Sequence, residues 1–245
     1  MNCSSPQQIA IFLESKRRFA ASDYCMASNT APPKRASFAT GAGLFIALFS
    51  MFLARKIVNP FSTALTFTNA VWKEVVIWIC VIALLLIIRY GERLPFRSIG
   101  LGTSAWWKSI LWGVLYSLPM FGIAIVIAHL TQYGHSLSAA AFEKLPLWLI
   151  TAIVLRAGVV EELFYRGYAI ERFTALGLGR FWSAAIPLAI FSLGHLSGGW
   201  SNVLIALVLG AILSALYLWR RDLIANMIGH GLVDFIANVL PRLFS

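Results

Sequence analysis

Charge is what this sequence has least of. Only 12% of its residues are Asp, Glu, Lys or Arg, where a soluble domain carries about 25%. Acidic residues are the scarcer kind, ten against twenty basic ones. Cysteine is nearly missing: Cys3, Cys25 and Cys80 are too few and too scattered for a disulfide framework, a zinc ribbon or a redox pair. The four histidines form no His-Glu-x-x-His, so the helical zinc-protease signature is absent. No internal repeat of the kind that builds solenoids and propellers is visible. The longest apolar stretch near the N-terminus, Ile9 to Leu13, is too short for a signal-peptide core, so no cleaved leader is expected.

What the sequence does have is apolar residues, 59% of the chain, with a mean hydropathy of +0.78. In lipid, a helix satisfies its backbone polar groups internally, so the expected fold is an all-α polytopic integral membrane protein. About seven transmembrane helices are expected, around a polar cavity. They run over Phe38 to Ala54, Ala70 to Ile88, Ile110 to Leu130, Leu147 to Ile170, Phe181 to Leu196, Trp200 to Trp219 and Leu223 to Leu240. Residues 1–36 read as a basic, disordered cytoplasmic extension, carrying Lys16, Arg17, Arg18, Lys34 and Arg35 and stopped by Pro32-Pro33. An amphipathic surface helix over Ile9 to Phe19 is the alternative there. Residues 37–245 form the membrane domain. Lys73 and Glu74 are expected to snorkel from the second span, and Leu101 to Trp107 to lie along the interface on Trp106 and Trp107. Pro119 is expected to kink the third span.

With the N-terminus inside, thirteen of the twenty Lys and Arg fall on the cytoplasmic side, five outside, and Arg156 and Arg166 within the fourth span. That bias sets the expected orientation. The formal charge of +10 then reflects topology and attraction to anionic lipid, with no nucleic-acid partner expected.

The fourth span holds the chemistry. Four charged side chains, Arg156, Glu161, Glu162 and Arg166, lie in an apolar run long enough to cross a bilayer. Each costs at least about 2.5 kcal/mol at bilayer depth, so each needs a reason. On an α-helix Glu162 and Arg166 share a face, while Glu161 lies about 100° around from Glu162. Glu162 is therefore read as held by Arg166, and Glu161 as having no local partner and facing something else. Two further clusters answer to it: Phe191-x-x-x-His195, and His230-x-x-x-Asp234, each sharing a helical face. A buried carboxylate beside a histidine is the minimal kit for activating water. Glu161 would take the proton, and His195 would hold the same water or shuttle its proton. His230 and Asp234 could stabilise the oxyanion formed when water attacks a peptide carbonyl. An ionised Asp234 only accepts, so it would orient His230 or act as the protonated acid.

Glu-Glu-x-x-x-Arg completed by Phe164-Tyr165-Arg166-Gly167, then Phe-x-x-x-His, then His-x-x-x-Asp, resembles one family. It is the CPBP family of type II CAAX prenyl endopeptidases and their bacterial relatives, also called the Abi family. Each motif alone is weak; the three in order are specific. The resemblance runs from about Leu94, at Leu94-Pro-Phe-Arg-Ser-Ile-Gly-Leu101, to the C-terminus. It implies an intramembrane endopeptidase acting on a membrane-associated protein or peptide. Glu161 matches the water-activating glutamate, His195 its paired histidine, and His230 with Asp234 the oxyanion site; Glu162 and Arg166 match bracing positions. Arg156 has no counterpart in the motif. The chain looks most like the bacterial branch, which implies an inner-membrane location and substrates that need not be prenylated.

The plain alternatives are packing. Glu162–Arg166 is an ordinary intrahelical ion pair, His230–Asp234 a bonded pair, His195 a helix-end histidine and Phe191 a wall residue beside it. His129 and His135 read as solvated, and Cys80 as apolar packing. No cofactor is expected. The family is often labelled a metalloprotease, and Glu161, His195 and His230 could supply three zinc ligands, but that would consume the base and the oxyanion group together. Two other functions fit buried Glu, His and Arg: a proton-coupled transporter, or a non-catalytic scaffold or immunity protein on the same fold. One point strains the catalytic reading: counted along straight helices, Glu161, His195 and His230 differ in depth by roughly 10 Å.

Overall fold

The structure is a computed structural model, and it describes residues 38–58, 65–102, 105–132, 142 and 144–244. Those residues are helical, with no strand among them. The expected N-terminal extension, Cys3, Cys25 and His135 lie outside the described residues.

The first helix is α1 (Phe38–Val58) and the second α2 (Phe67–Leu86), which runs on into a π-helical turn, Ile87–Gly91. A 3-10 turn, Phe96–Ile99, leads to α3 (Trp106–Thr131). The glutamate helix is one continuous rod with a change of winding: α4 (Leu147–Arg156), a π-helical segment (Ala157–Ile170) and α5 (Glu171–Ala175). Then follow α6 (Arg180–Gly194) with its 3-10 turn His195–Gly198, α7 (Trp200–Arg220), α8 (Leu223–Asn238) and a final 3-10 turn, Leu240–Leu243. Trp106 and Trp107 open α3 rather than lying in the connection before it. Pro119 sits inside α3.

Five of these helices are long and apolar enough to cross a membrane by themselves: Phe38–Val58, Phe67–Gly91, Trp106–Thr131, Arg180–Gly198 and Trp200–Arg220. The rod and α8 carry the polar motifs instead. Both are packed inside the bundle, where charged groups find partners rather than lipid. The π-helical segment is buried at every residue but Val159. It packs against α1, α6 and α8, and α8 also packs against α3. Lipid-facing sides are apolar: Ile79 and Ile82 on α2, Leu115 and Leu118 on α3, and Leu204 and Leu207 on α7 are exposed. Exposed Trp106, Trp107, Trp182 and Trp219 lie at the helix ends expected to be cytoplasmic, and Trp72, Trp148 and Trp200 at the opposite ends. That is the two-girdle pattern of a membrane protein.

Two contacts fix the rod. A Cβ on Gly158 would lie 2.7 Å from Cα of Gly231, so the rod and α8 touch backbone to backbone, which small residues permit. Towards the other end, Arg172 is buried and binds Glu92 through Nε (3.0 Å to each oxygen) and Nη2 (2.8 Å). Tyr168 and Thr40 also donate to Glu92 Oε1, at 2.9 and 3.0 Å. Arg172, which the charge count places among the loop cations, is thus a tie between the rod, α1 and the connection after α2.

Candidate active site

Glu162 is the hub of the buried polar network and has no solvent exposure. Arg166 Nη1 donates to its Oε1 at 2.8 Å, as the spacing of four leads one to expect. His230 Nδ1 donates to the same oxygen at 2.9 Å, and Asn226 Nδ2 to Oε2 at 3.1 Å, both from α8. Arg166 is held in turn: Nη2 donates to the carbonyl of Gly210 at 3.1 Å, and the guanidinium lies 4.5 Å from the centre of the Phe191 ring. One carboxylate therefore joins the rod to α8, and its arginine joins the rod to α6 and α7.

His230 is oriented chiefly by Glu162. Its Nε2 stands 3.5 Å from Asp234 Oδ2, a much looser contact than the 2.9 Å on its other side. Both ring nitrogens face carboxylate oxygens, which suits an imidazolium that donates on each side.

Glu161 does have a local partner, contrary to the expectation from α-helical spacing. Arg156 Nη1 donates to Glu161 Oε1 at 2.9 Å. Residues five apart lie about 140° apart around a 3.6-residue turn, but the i→i+5 winding of a π-helix brings them onto one side. Arg156 also grips Glu74 of α2, through Nε at 3.0 Å and Nη2 at 3.1 Å. Glu74 is buried rather than snorkelling, and the arginine that no motif explained is shared between two carboxylates.

His195 stands where α6 gives way to its 3-10 turn. Its Nδ1 lies 2.8 Å from the carbonyl of Phe191 and so donates to it; in the neutral imidazole that tautomer leaves Nε2 as an acceptor. The Phe191 ring packs edge-on against the imidazole at 4.6 Å and against Tyr165 at 5.1 Å. His129 is exposed on the surface, and Cys80 packs against the core.

These groups meet at a cavity of about 1000 Å³, lined by Lys73, Arg156, Glu161, His195, His230 and Asp234 among others. Glu162 and Arg166 lie behind its wall. The expected spread in depth does not keep Glu161, His195 and His230 from lining one space. Glu74 and Asn226 escaped the sequence reading. Asn226 was legible, since Asn226, His230 and Asp234 recur every four residues along one face of α8. Glu74 was not, because nothing in spacing pairs it with a residue 82 positions away.

Among the described residues, no three His, Cys, Asp or Glu side chains are placed to hold a metal ion. Glu161 and Glu162 are each committed to an arginine, so the donor set does not fit a zinc site as it stands.

No curated protein and no solved structure matches the chain. A family model does, over residues 143–236; its description is Rce1-like, type II CAAX prenyl endopeptidase. The match takes in both glutamates, Arg166, both cavity histidines and Asp234. Glu74 and Leu94–Leu101, where the resemblance begins, lie before it. Residues 143–236 of this helical, integral membrane protein, the segment that carries the cavity's glutamates and histidines, are thus similar to the Rce1-like type II CAAX prenyl endopeptidases.

Proposed function

We propose that the chain is an intramembrane endopeptidase that hydrolyses a peptide bond in a membrane-associated protein or peptide, with Glu161 as the base that activates water. The observation that carries this reading is the shared cavity, in which Glu161, His195, His230 and Asp234 from three separate helical elements face one space. Arg156 occupies Oε1 of Glu161, and Oε2 has no partner among the described residues. A water between Oε2 and Nε2 of His195 can donate one hydrogen to each, which leaves a lone pair for the substrate carbonyl.

In the reaction, water oxygen bonds to the carbonyl carbon as its proton passes to Glu161. The carbonyl oxygen becomes an oxyanion, and in this reading His230 Nε2–H turns from Asp234 to donate to it. Collapse breaks the C–N bond, and Glu161 returns its proton to the leaving amine. Glu162, Arg166 and Asn226 touch no substrate in this scheme; they hold His230. Water activation is assigned to Glu161 without a metal. The substrate is a membrane-associated polypeptide that need not be prenylated, and the N-terminus and the Arg220-Arg221 loop face the cytoplasm of a bacterial cell.

The test is cleavage of a library of membrane-anchored peptides by the purified chain in proteoliposomes, read by mass spectrometry. Wild type should give defined cleavage products, and Glu161→Gln and His195→Ala should give none while remaining folded. Equal cleavage by Glu161→Gln would sink the assignment. A scaffold or transporter would cleave nothing in either form.

A further inference from the structure

Arg156, which lines the cavity, and Glu74, its partner on α2, are buried charges that the proposed reaction leaves unused. Arg156, Glu74 and Glu161 are 6%, 9% and 9% exposed, so all three charges are largely withdrawn from water. Three donors of the guanidinium are engaged, Nε and Nη2 on Glu74 and Nη1 on Glu161. A two-point grip on a carboxylate fixes the plane of the guanidinium, which a lysine could not do. With that plane fixed, the direction of Nη1 is fixed, and so is the oxygen of Glu161 that it holds. A brace between α2 and the rod would need only the Glu74–Arg156 bonds. The further bond reaches a carboxylate that lines the cavity.

We propose that Glu74 and Arg156 are a positioning pair for Glu161: Arg156, anchored on Glu74, holds Oε1 and thereby turns Oε2 to the cavity. The proposal rests on Glu161 being the base. It extends the site to α2, outside the segment that the family model matches. Glu74 also divides the charge of Arg156 between two carboxylates, so that Glu161 is not locked into an exclusive ion pair.

The test uses the full chain, with thermal melting, peptide cleavage in proteoliposomes and labelling by dicyclohexylcarbodiimide, an apolar reagent for membrane-embedded carboxyl groups. Labelling at Glu161 is read by peptide mass spectrometry. Arg156→Gln should label several times faster at Glu161 than wild type, because the arginine no longer covers Oε1. Glu74→Gln and Arg156→Gln should lose turnover by about 100-fold, the scale of a misplaced catalytic group, with KM little changed. The exchange Glu74→Arg with Arg156→Glu restores the ion pair but sets a carboxylate against Glu161. It should recover the melting temperature and not kcat. Should the exchange fail to fold, Arg156→Lys keeps the charge without the two-point grip, and should lose kcat more than melting temperature. Recovery of kcat together with stability in the exchange, or unchanged labelling in Arg156→Gln, would overturn the proposal. A wild type that cleaves no peptide would refute the peptidase reading, while the labelling comparison would still decide the positioning of Glu161.

Discussion

Replacing Arg166 by alanine should damage the fold before it damages the chemistry. Arg166 is 1% exposed and its partner Glu162 has no exposure, so the change strands a buried carboxylate. Removing one member of a buried pair costs about 3–5 kcal/mol. Asn226 and His230 still donate to Glu162, which places this component near the lower end, about 3 kcal/mol. The guanidinium also sits 4.5 Å from the Phe191 ring centre, and a desolvated cation–π contact adds about 1–2 kcal/mol. The sum, about 4–5 kcal/mol, corresponds to a fall of about 8–20 °C in melting temperature for a chain of this size. Glu161→Gln is the contrast. The glutamine carbonyl still accepts from Arg156, and Glu74 still neutralises it, so the cost is about 1 kcal/mol, the price of a weaker hydrogen bond. Melting curves of the purified variants in one detergent make the comparison. If Arg166→Ala melts with wild type and Glu161→Gln is the variant that collapses, the division between bracing and reacting glutamate is wrong.

Gly158→Ala would drive a Cβ to 2.7 Å from Gly231 Cα; it should destabilise the protein by about 1–3 kcal/mol and, by shifting α8 beneath His230, lower turnover in the cleavage assay. Activity should survive exhaustive dialysis against a strong chelator, with no stoichiometric metal in the purified chain and with Asp234→Asn tolerated, since an amide N–H can donate to the oxyanion. One zinc per chain, lost on His195→Ala or His230→Ala, would contradict this. Glu171, just past the fourth span, is held above the ordinary carboxylate range by burial. The fold therefore binds its proton more tightly than the unfolded chain does, and this contribution to stability, full at acid pH, is lost as pH rises through the raised value. Relative to Glu171→Gln, wild type should thus lose melting temperature on going from pH 4 to pH 7, with pH-independent differences as the contrary result. For topology, a cysteine placed by Ala20→Cys should react with a membrane-impermeant maleimide only after the membrane is opened; labelling from the outer face of intact cells would reverse the orientation.

The spans were legible in the sequence because long apolar runs interrupted by polar or Pro-containing segments leave a helix few other places to be. The Glu162–Arg166 pair was legible because a spacing of four survives the change from α to π winding. Glu161's partner was not, because five residues put Arg156 on the wrong side of an α-helix, and nothing in Ala157–Ile170 announces the wider turn. Charge counting sorted Arg172 with the loop cations and Glu74 with the snorkelling ones. Both are buried because each found a partner on another element, Glu92 and Arg156, and pairing across elements leaves no trace in local spacing. His230 was read as a partner of Asp234 on its own helix, yet its tighter bond crosses to Glu162.

The most direct measurement of the central claim is a single-turnover cleavage in water enriched in oxygen-18, with enzyme in excess over a cleavable membrane-anchored peptide. If Glu161 acts as a base on water, the new C-terminal carboxyl should carry one oxygen-18 in that first turnover, and Glu161 itself should carry none. Oxygen-18 in the Glu161 side chain and oxygen-16 in the product would mean that Glu161 attacked the carbonyl directly, and would contradict the account.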